Sequence, residues 1–237
     1  MKNLIFLFSI FLCSIATASD GFQNESEAGV VITGGNTENE NYTLSQRNLF
    51  GWSIKNLLTL KGHYLKGFVK GKETARYWSL GLRYDRYVND RLSFFTAYLL
   101  EGDRFAGYDP RHSVDLGTRY IAVKKEKFTL GTELGYRFTR EHQTEFMVTK
   151  DFHMTRIEGD AEYRISSTFT ARILTEYFYN FTLTEDYSIN GDASLSAMIT
   201  SVLSMKTSYG FRYRNVPPAS LVVRTDRIFT TALVAKF

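Results

Sequence analysis

The feature that most constrains this chain is a two-residue alternation that recurs along its length, with one face apolar and the other polar and rich in charge. Between Leu203 and Arg214, one face reads Leu203, Met205, Thr207, Tyr209, Phe211, Tyr213. The other reads Ser204, Lys206, Ser208, Gly210, Arg212, Arg214. Period two is the signature of a β-strand whose faces meet different surroundings. The pattern recurs at Phe128–Phe138, Ile157–Ile165, Phe169–Tyr179 and Tyr187–Ala197.

Read this way, the chain predicts about twelve strands. They fall near 24–34, 38–50, 54–66, 73–86, 90–102, 111–123, 126–139, 150–165, 168–181, 185–198, 201–214 and 222–237. The second and third are the least regular: Gln46 and Asn48 interrupt the apolar face of one, and Lys61 and His63 that of the other. Tight turns are expected at 51–53, 88–90, 124–126, 166–167 and 200–201, and longer polar loops at 67–72, 103–110, 140–149 and 215–221. Pro110, Pro217 and Pro218 are all expected in long loops, where a missing N–H costs nothing. Gly34-Gly35-Asn36-Thr37 reads as a hairpin turn.

Such strands could build a soluble sandwich, a soluble barrel or a membrane barrel. At roughly 11–14 residues they exceed the soluble mode of about 5–6 and suit a tilted bilayer crossing, for which about 9–11 suffice. A soluble barrel needs an apolar inside, yet here one face of most strands carries Arg, Glu, Asp or Lys. The reverse arrangement explains the pattern: apolar residues meet hydrocarbon, Tyr and Phe sit at the interfaces, and charge lines the lumen. A closed barrel is also the only sheet without unpaired edges in lipid. The fold expected is therefore an all-β, transmembrane, antiparallel up-and-down barrel. Counted from a periplasmic N-terminus, the tight turns all fall inside and the longer loops outside.

The N-terminus carries an address. Lys2 precedes the apolar run Leu4–Ile15, and Ala16-Thr17-Ala18 fits a small-x-small cleavage site. Residues 1–18 read as a cleaved secretory signal peptide and 19–237 as one barrel domain. The only cysteine, Cys13, lies in the leader, so the expected mature chain has no thiol chemistry, disulfide or thiolate metal site. A formal charge of +4, scattered along the chain, does not argue for a nucleic-acid partner.

Candidate functional residues are those expected to point into the lumen. The basic set is Arg119, Arg137, Arg164, Arg172, Lys206 and Arg212. The acidic set is Asp115, Glu133, Glu158, Asp160, Glu162, Glu176 and Asp192. They either pair into a plug or line a narrow path for small polar solutes. About twelve strands falls between filled eight-stranded barrels and open sixteen-stranded porins, so both arrangements stay open. Catalysis would need a supported Ser–His pair. His63, His112, His142 and His153, all expected toward the outer rim, show no such spacing. Asp109 is near His112-Ser113 in sequence, but successive strand residues face opposite ways. No catalytic residue, cofactor or metal is expected. The alternatives are a hydrolase of lipid or lipopolysaccharide, with His112 as its base, and a secreted soluble binding barrel.

Several segments occur together in order: Gly34-Gly35-Asn36-Thr37, Arg83-Tyr84-Asp85, Glu101-Gly102-Asp103 through Arg111, Tyr213-Arg214-Asn215-Val216-Pro217-Pro218, Thr225-Asp226 and the terminal Phe237. On these the chain resembles the salt-induced outer-membrane protein family, a domain of unknown function, over about 24–237. The resemblance implies an outer-membrane barrel of Gram-negative bacteria and supplies no substrate. Phe229, Leu233 and Phe237 resemble a C-terminal insertion signal for the outer-membrane assembly machinery. The expected role is an envelope structural protein or a narrow pore. Outer-membrane lipid, lipopolysaccharide and small polar solutes are its expected partners.

Overall fold

The computed structural model describes residues 21–33, 39–218 and 223–237. The proposed leader, residues 1–18, and the 34–37 turn lie outside the described residues. Twelve strands run in chain order: β1 Phe22–Thr33, β2 Asn39–Ser53, β3 Asn56–Val69, β4 Lys72–Tyr87, β5 Leu92–Asp103 and β6 Tyr108–Lys124. They continue as β7 Phe128–Gln143, β8 Val148–Arg164, β9 Phe169–Asn180, β10 Tyr187–Met198, β11 Leu203–Arg214 and β12 Thr225–Lys236. Each pairs antiparallel with its chain neighbours, and β12 returns to β1, closing the barrel. Phe237 completes the seam through two backbone hydrogen bonds with Asn24, at 2.8 and 2.9 Å.

The wall is inside-out relative to a soluble protein. On β7, Glu133 is 2% exposed while its neighbour Leu134 is 58% exposed. Leu80, Leu82, Leu116, Ile157, Ile173 and Leu233 are likewise exposed on the outer surface. Outward aromatics gather toward the two ends. At the end holding the termini, Phe22 contacts Phe50 and Trp52 stacks on Tyr84. At the far end, Tyr187 contacts Tyr177 and Tyr213. Amphipathic rings at both ends of an apolar band fit the two interfaces of a bilayer.

A polar cluster interrupts the outer face near the seam. Asn24, Ser26, Gln46 and Asn48 share the outward face of β1 and β2 and bond to each other, with Asn24 to Asn48 and Ser26 to Gln46 both at 2.7 Å. Mutual pairing is what lets amides and a hydroxyl occupy such a wall.

The structure corrects several sequence expectations. The segment 67–72 is no long loop: Lys70 and Gly71, at φ 50° and 72°, make a two-residue hairpin turn of the primed kind. The strands likewise continue through half of 103–110 and most of 140–149, leaving only 104–107 and 144–147 between them. Polar composition suggested loops there, but strands that rise beyond lipid need no apolar face. The turn expected at 51–53 lies at 54–55, because β2 runs to Ser53 through a register shift. Pro110 lies within β6, where the pairing with β7 skips from Tyr108 to Arg111, so the ladder loses no bond to its missing N–H.

Candidate functional site

The lumen is crossed by ion pairs in two tiers. The lower tier centres on Glu133 of β7. Arg83 of β4 donates two hydrogen bonds to its carboxylate, both at 2.9 Å, Arg119 of β6 one at 2.9 Å, and Arg156 of β8 one at 2.7 Å. Each arginine has a second carboxylate. Arg83 also holds Asp85 at 2.7 Å, Arg119 holds Asp160 at 2.6 Å, and Arg156 holds Glu176 at 2.9 Å and Glu158. Lumen-facing glycines make room for this assembly. A Cβ on Gly117 would lie 2.7 Å from the Phe95 ring, and one on Gly131 would lie 2.5 Å from both Arg119 and Asp160. Phe95 in turn lies under the Arg83 guanidinium, 4.1 Å from ring centre, a cation–π contact that packs the network against the wall.

The upper tier spans the far end. Glu141 of β7 pairs with Arg111 of β6 at 3.3 Å and with Arg214 of β11 at 2.8 Å. Arg111 holds Glu101 at 2.8 Å, and Tyr77 donates to the same carboxylate at 3.0 Å. Arg214 reaches Asp186, in the segment between β9 and β10, at 3.0 Å. Between the tiers, Arg137 makes a bidentate pair with Asp115, both bonds 2.6 Å, and lies over Phe178.

Beside these networks lies a cavity of about 1000 Å³. Its lining runs from Lys61, Glu27, Lys206 and Asp192 up to Pro217, Pro218 and Arg224 at the far end. A second recess of about 600 Å³, among Arg91, Lys124, Glu126 and Arg164, lies at the opposite rim. No residue lines both, and Glu133, Arg83, Arg119 and Arg156 line neither. The lower tier therefore occupies the level between them.

Of the residues singled out from sequence, Asp115, Arg119, Glu133, Arg137, Glu158, Asp160 and Glu176 belong to these interior ion pairs. Lys206 and Arg212 line the cavity, bonded to Glu27 at 2.7 Å and to Asp192 at 2.9 Å. Arg172 and Arg164 share Glu162 on the same face, half or more exposed toward the rim that bears the termini. Sequence reading missed Arg83, Arg111, Arg156, Arg214, Glu101 and Glu141. Their parity was the available signal, since each alternates with an outward residue.

Lys61 and His63 require a correction. They do not interrupt the apolar face of β3. Lys61 pairs in register with Arg47, and His63 with Ser45, all on the lumen side, while Leu60 and Tyr64 face outward. His63 is thus a mid-barrel residue lining the cavity rather than a rim residue. Its Nδ1 lies 2.7 Å from Ser45 Oγ. Strand amides around this pair are committed to the β2–β3 and β3–β4 ladders, so it lacks the free donors that acyl transfer uses to stabilise an oxyanion. His112 points outward to the Tyr98 hydroxyl at 2.7 Å, while Ser113 points inward to Thr139. His153 bonds Tyr136 on the outer wall, and His142 lies 3.3 Å from Thr149.

Comparison with known proteins follows the same lines. No curated protein matches the sequence. Among solved structures, the NanC porin aligns with a TM-score of 0.56 at 12% identity, over 90% of this chain and 98% of that one. An outer-membrane channel of the COG4313 group from Pseudomonas putida F1 gives 0.56 at 10% identity, covering 94% and 97%. The KdgM porin gives 0.50 at 12% identity, covering 91% and 99%. At these identities the likeness is one of fold. Residues 26–237 match the family described as protein of unknown function, DUF481, and the chain therefore belongs to that family, the salt-induced outer-membrane proteins, as a closed twelve-stranded outer-membrane-type β-barrel.

Proposed function

We propose that the protein is exported by its N-terminal leader to the bacterial outer membrane and acts there as a narrow pore for small polar solutes. Solutes enter a vestibule at the far end, and the lower ion tier sets the constriction. The observation that carries this reading is the 1000 Å³ charged cavity, which descends from the far-end loops and stops at the level of the Glu133 network. A purely structural barrel gains nothing from so large a polar void. Its wall would be served as well by side chains that fill the lumen. On this reading Phe229, Leu233 and Phe237, all outward on or just after β12, present the face that the assembly machinery reads. Lipid and lipopolysaccharide contact the outer wall.

Planar-bilayer recording of the refolded barrel tests the proposal. Small, reproducible single-channel currents are expected. Absence of current across a range of voltage and salt would leave an envelope structural role, with both tiers acting as a permanent plug.

A further inference from the structure

Most lumen cations are bonded to a carboxylate, but two adjacent ones are not. Arg47 of β2 and Lys61 of β3 stand directly opposite each other in the register, both facing inward. Among the described residues neither forms an ion pair or a side-chain hydrogen bond, and Arg47 Nε is buried without an acceptor. Like charges facing each other across a strand pair repel, and a buried donor without a partner carries its full desolvation cost.

The nearby carboxylates attract these two cations but bond neither. Glu25, the partner of Arg47 on its other side, bonds Lys236 at 3.1 Å. Glu158 and Glu176, across the lumen, are held by Arg156. Lys61 is exposed to the cavity and forms part of its lining. Its other register partner is Gly81, where even an added Cβ would make only ordinary contacts, the nearest at 3.6 Å. Room beside Lys61 and two unpaired cations therefore coincide at the vestibule floor.

We propose that Lys61 and Arg47 form a binding site for an oxyanion, a phosphate or a carboxylate group borne by a solute in the vestibule. Opposed strand residues have Cβ atoms about 4.5–5.5 Å apart, so an ammonium and a guanidinium on such stems converge on one small anion. Arg47 would then donate from its orphaned edge, and the anion would relieve the repulsion between the two cations. The assignment names the ligand class for the pore reading and rests on that reading for its role. The binding event itself is measurable without conduction.

The test is titration calorimetry of the refolded barrel in zwitterionic detergent. Sodium phosphate and sodium acetate are each compared with sodium chloride at equal ionic strength. One saturable site is expected for at least one oxyanion. The tighter of the two identifies the group. Arg47→Gln and Lys61→Gln should each weaken it at least about tenfold, Lys61→Arg should retain it, and Arg140→Gln on the outer rim should leave it unchanged. Phosphate or acetate should also raise the unfolding midpoint of the unsubstituted protein, a readout that needs no variant to fold. No saturable binding by the unsubstituted barrel, or binding that survives both glutamine substitutions, overturns the site. Conduction without binding would remove the site and keep the pore. Binding in a barrel that does not conduct would do the reverse.

Discussion

Replacing Glu133 by glutamine should be among the most damaging single changes in the lumen. The carboxylate receives four hydrogen bonds from three arginines, and its side chain is 1% exposed. Removing one member of a buried ionic cluster costs about 3–5 kcal/mol, because the charges left behind stay desolvated. Here each arginine keeps another carboxylate, Asp85, Asp160 or Glu176, which places the expected loss near the lower bound, about 3 kcal/mol. That is on the order of a hundredfold in the folding equilibrium. Glutamine preserves the shape but turns one acceptor into a donor facing guanidinium donors, so isosteric fit does not rescue it. Reversible urea unfolding of the barrel in micelles, followed by tryptophan fluorescence, measures the change. The control is Asp151→Asn, which breaks the exposed rim pair with Arg140 and should cost less than about 1 kcal/mol. If the two variants lie within about 0.5 kcal/mol of each other, the lower tier is not an energetic keystone and the reasoning fails.

Other substitutions probe the wall and the seam. Leu134→Arg puts a charge on the lipid face beside Glu133 and should cost about 2–4 kcal/mol on insertion into vesicles; a negligible change would argue against a lipid contact there. Gly117→Val would press a branched side chain into Phe95 and the Leu134 carbonyl, the latter only 2.6 Å from the added Cβ, and should lower stability by about 1–3 kcal/mol in the same urea assay. Gln46→Leu with Asn48→Leu removes polar groups from the outer wall but leaves Asn24 and Ser26 with only their mutual bond at 3.2 Å and the Asn24 amide without an acceptor, so the pair should stabilise the barrel only when Asn24→Leu and Ser26→Ala are added. Equal unfolding midpoints for the double and quadruple variants would show that the cluster is not coupled. Deleting Phe237 removes both backbone bonds to Asn24 and should reduce the heat-modifiable, folded fraction in membranes. Unchanged assembly would sink the insertion role of the C-terminal residue.

The strand count and the outward faces were legible in the sequence because period-two patterning survives wherever one face meets hydrocarbon. The pattern weakened where that contrast was absent. In β3, Leu57 and Leu65 face the lumen while Leu58 and Leu60 face out, so Lys61 and His63 looked like intruders on an apolar face. Only the register with Arg47 and Ser45 assigns them inward. Loop lengths were overread for a related reason: above the bilayer both faces are wet, and a strand there is as polar as a loop. The interior ions were legible by parity but not by pairing. That Glu133 gathers arginines from β4, β6 and β8 depends on the register of β7 with β6 and β8, on Arg83 reaching across the lumen from 50 residues away and on glycines 117 and 131, which no local pattern marks.

The central claim is that side-chain parity, not hydropathy, decides what meets lipid. It is tested most directly on β9: a chain expressed from residue 19, which omits Cys13 and so contains no cysteine, permits single-cysteine fluorophore labelling at each position from 171 to 177. In vesicles of brominated lipid, quenching is expected at 171, 173, 175 and 177 and not at 172, 174 or 176. Two positions separate face from polarity: Thr175 is polar yet directed outward, and Leu174 is apolar yet pairs in register with the lumen residues Asp160 and Asp192. Quenching at 174 with none at 175 would contradict the account.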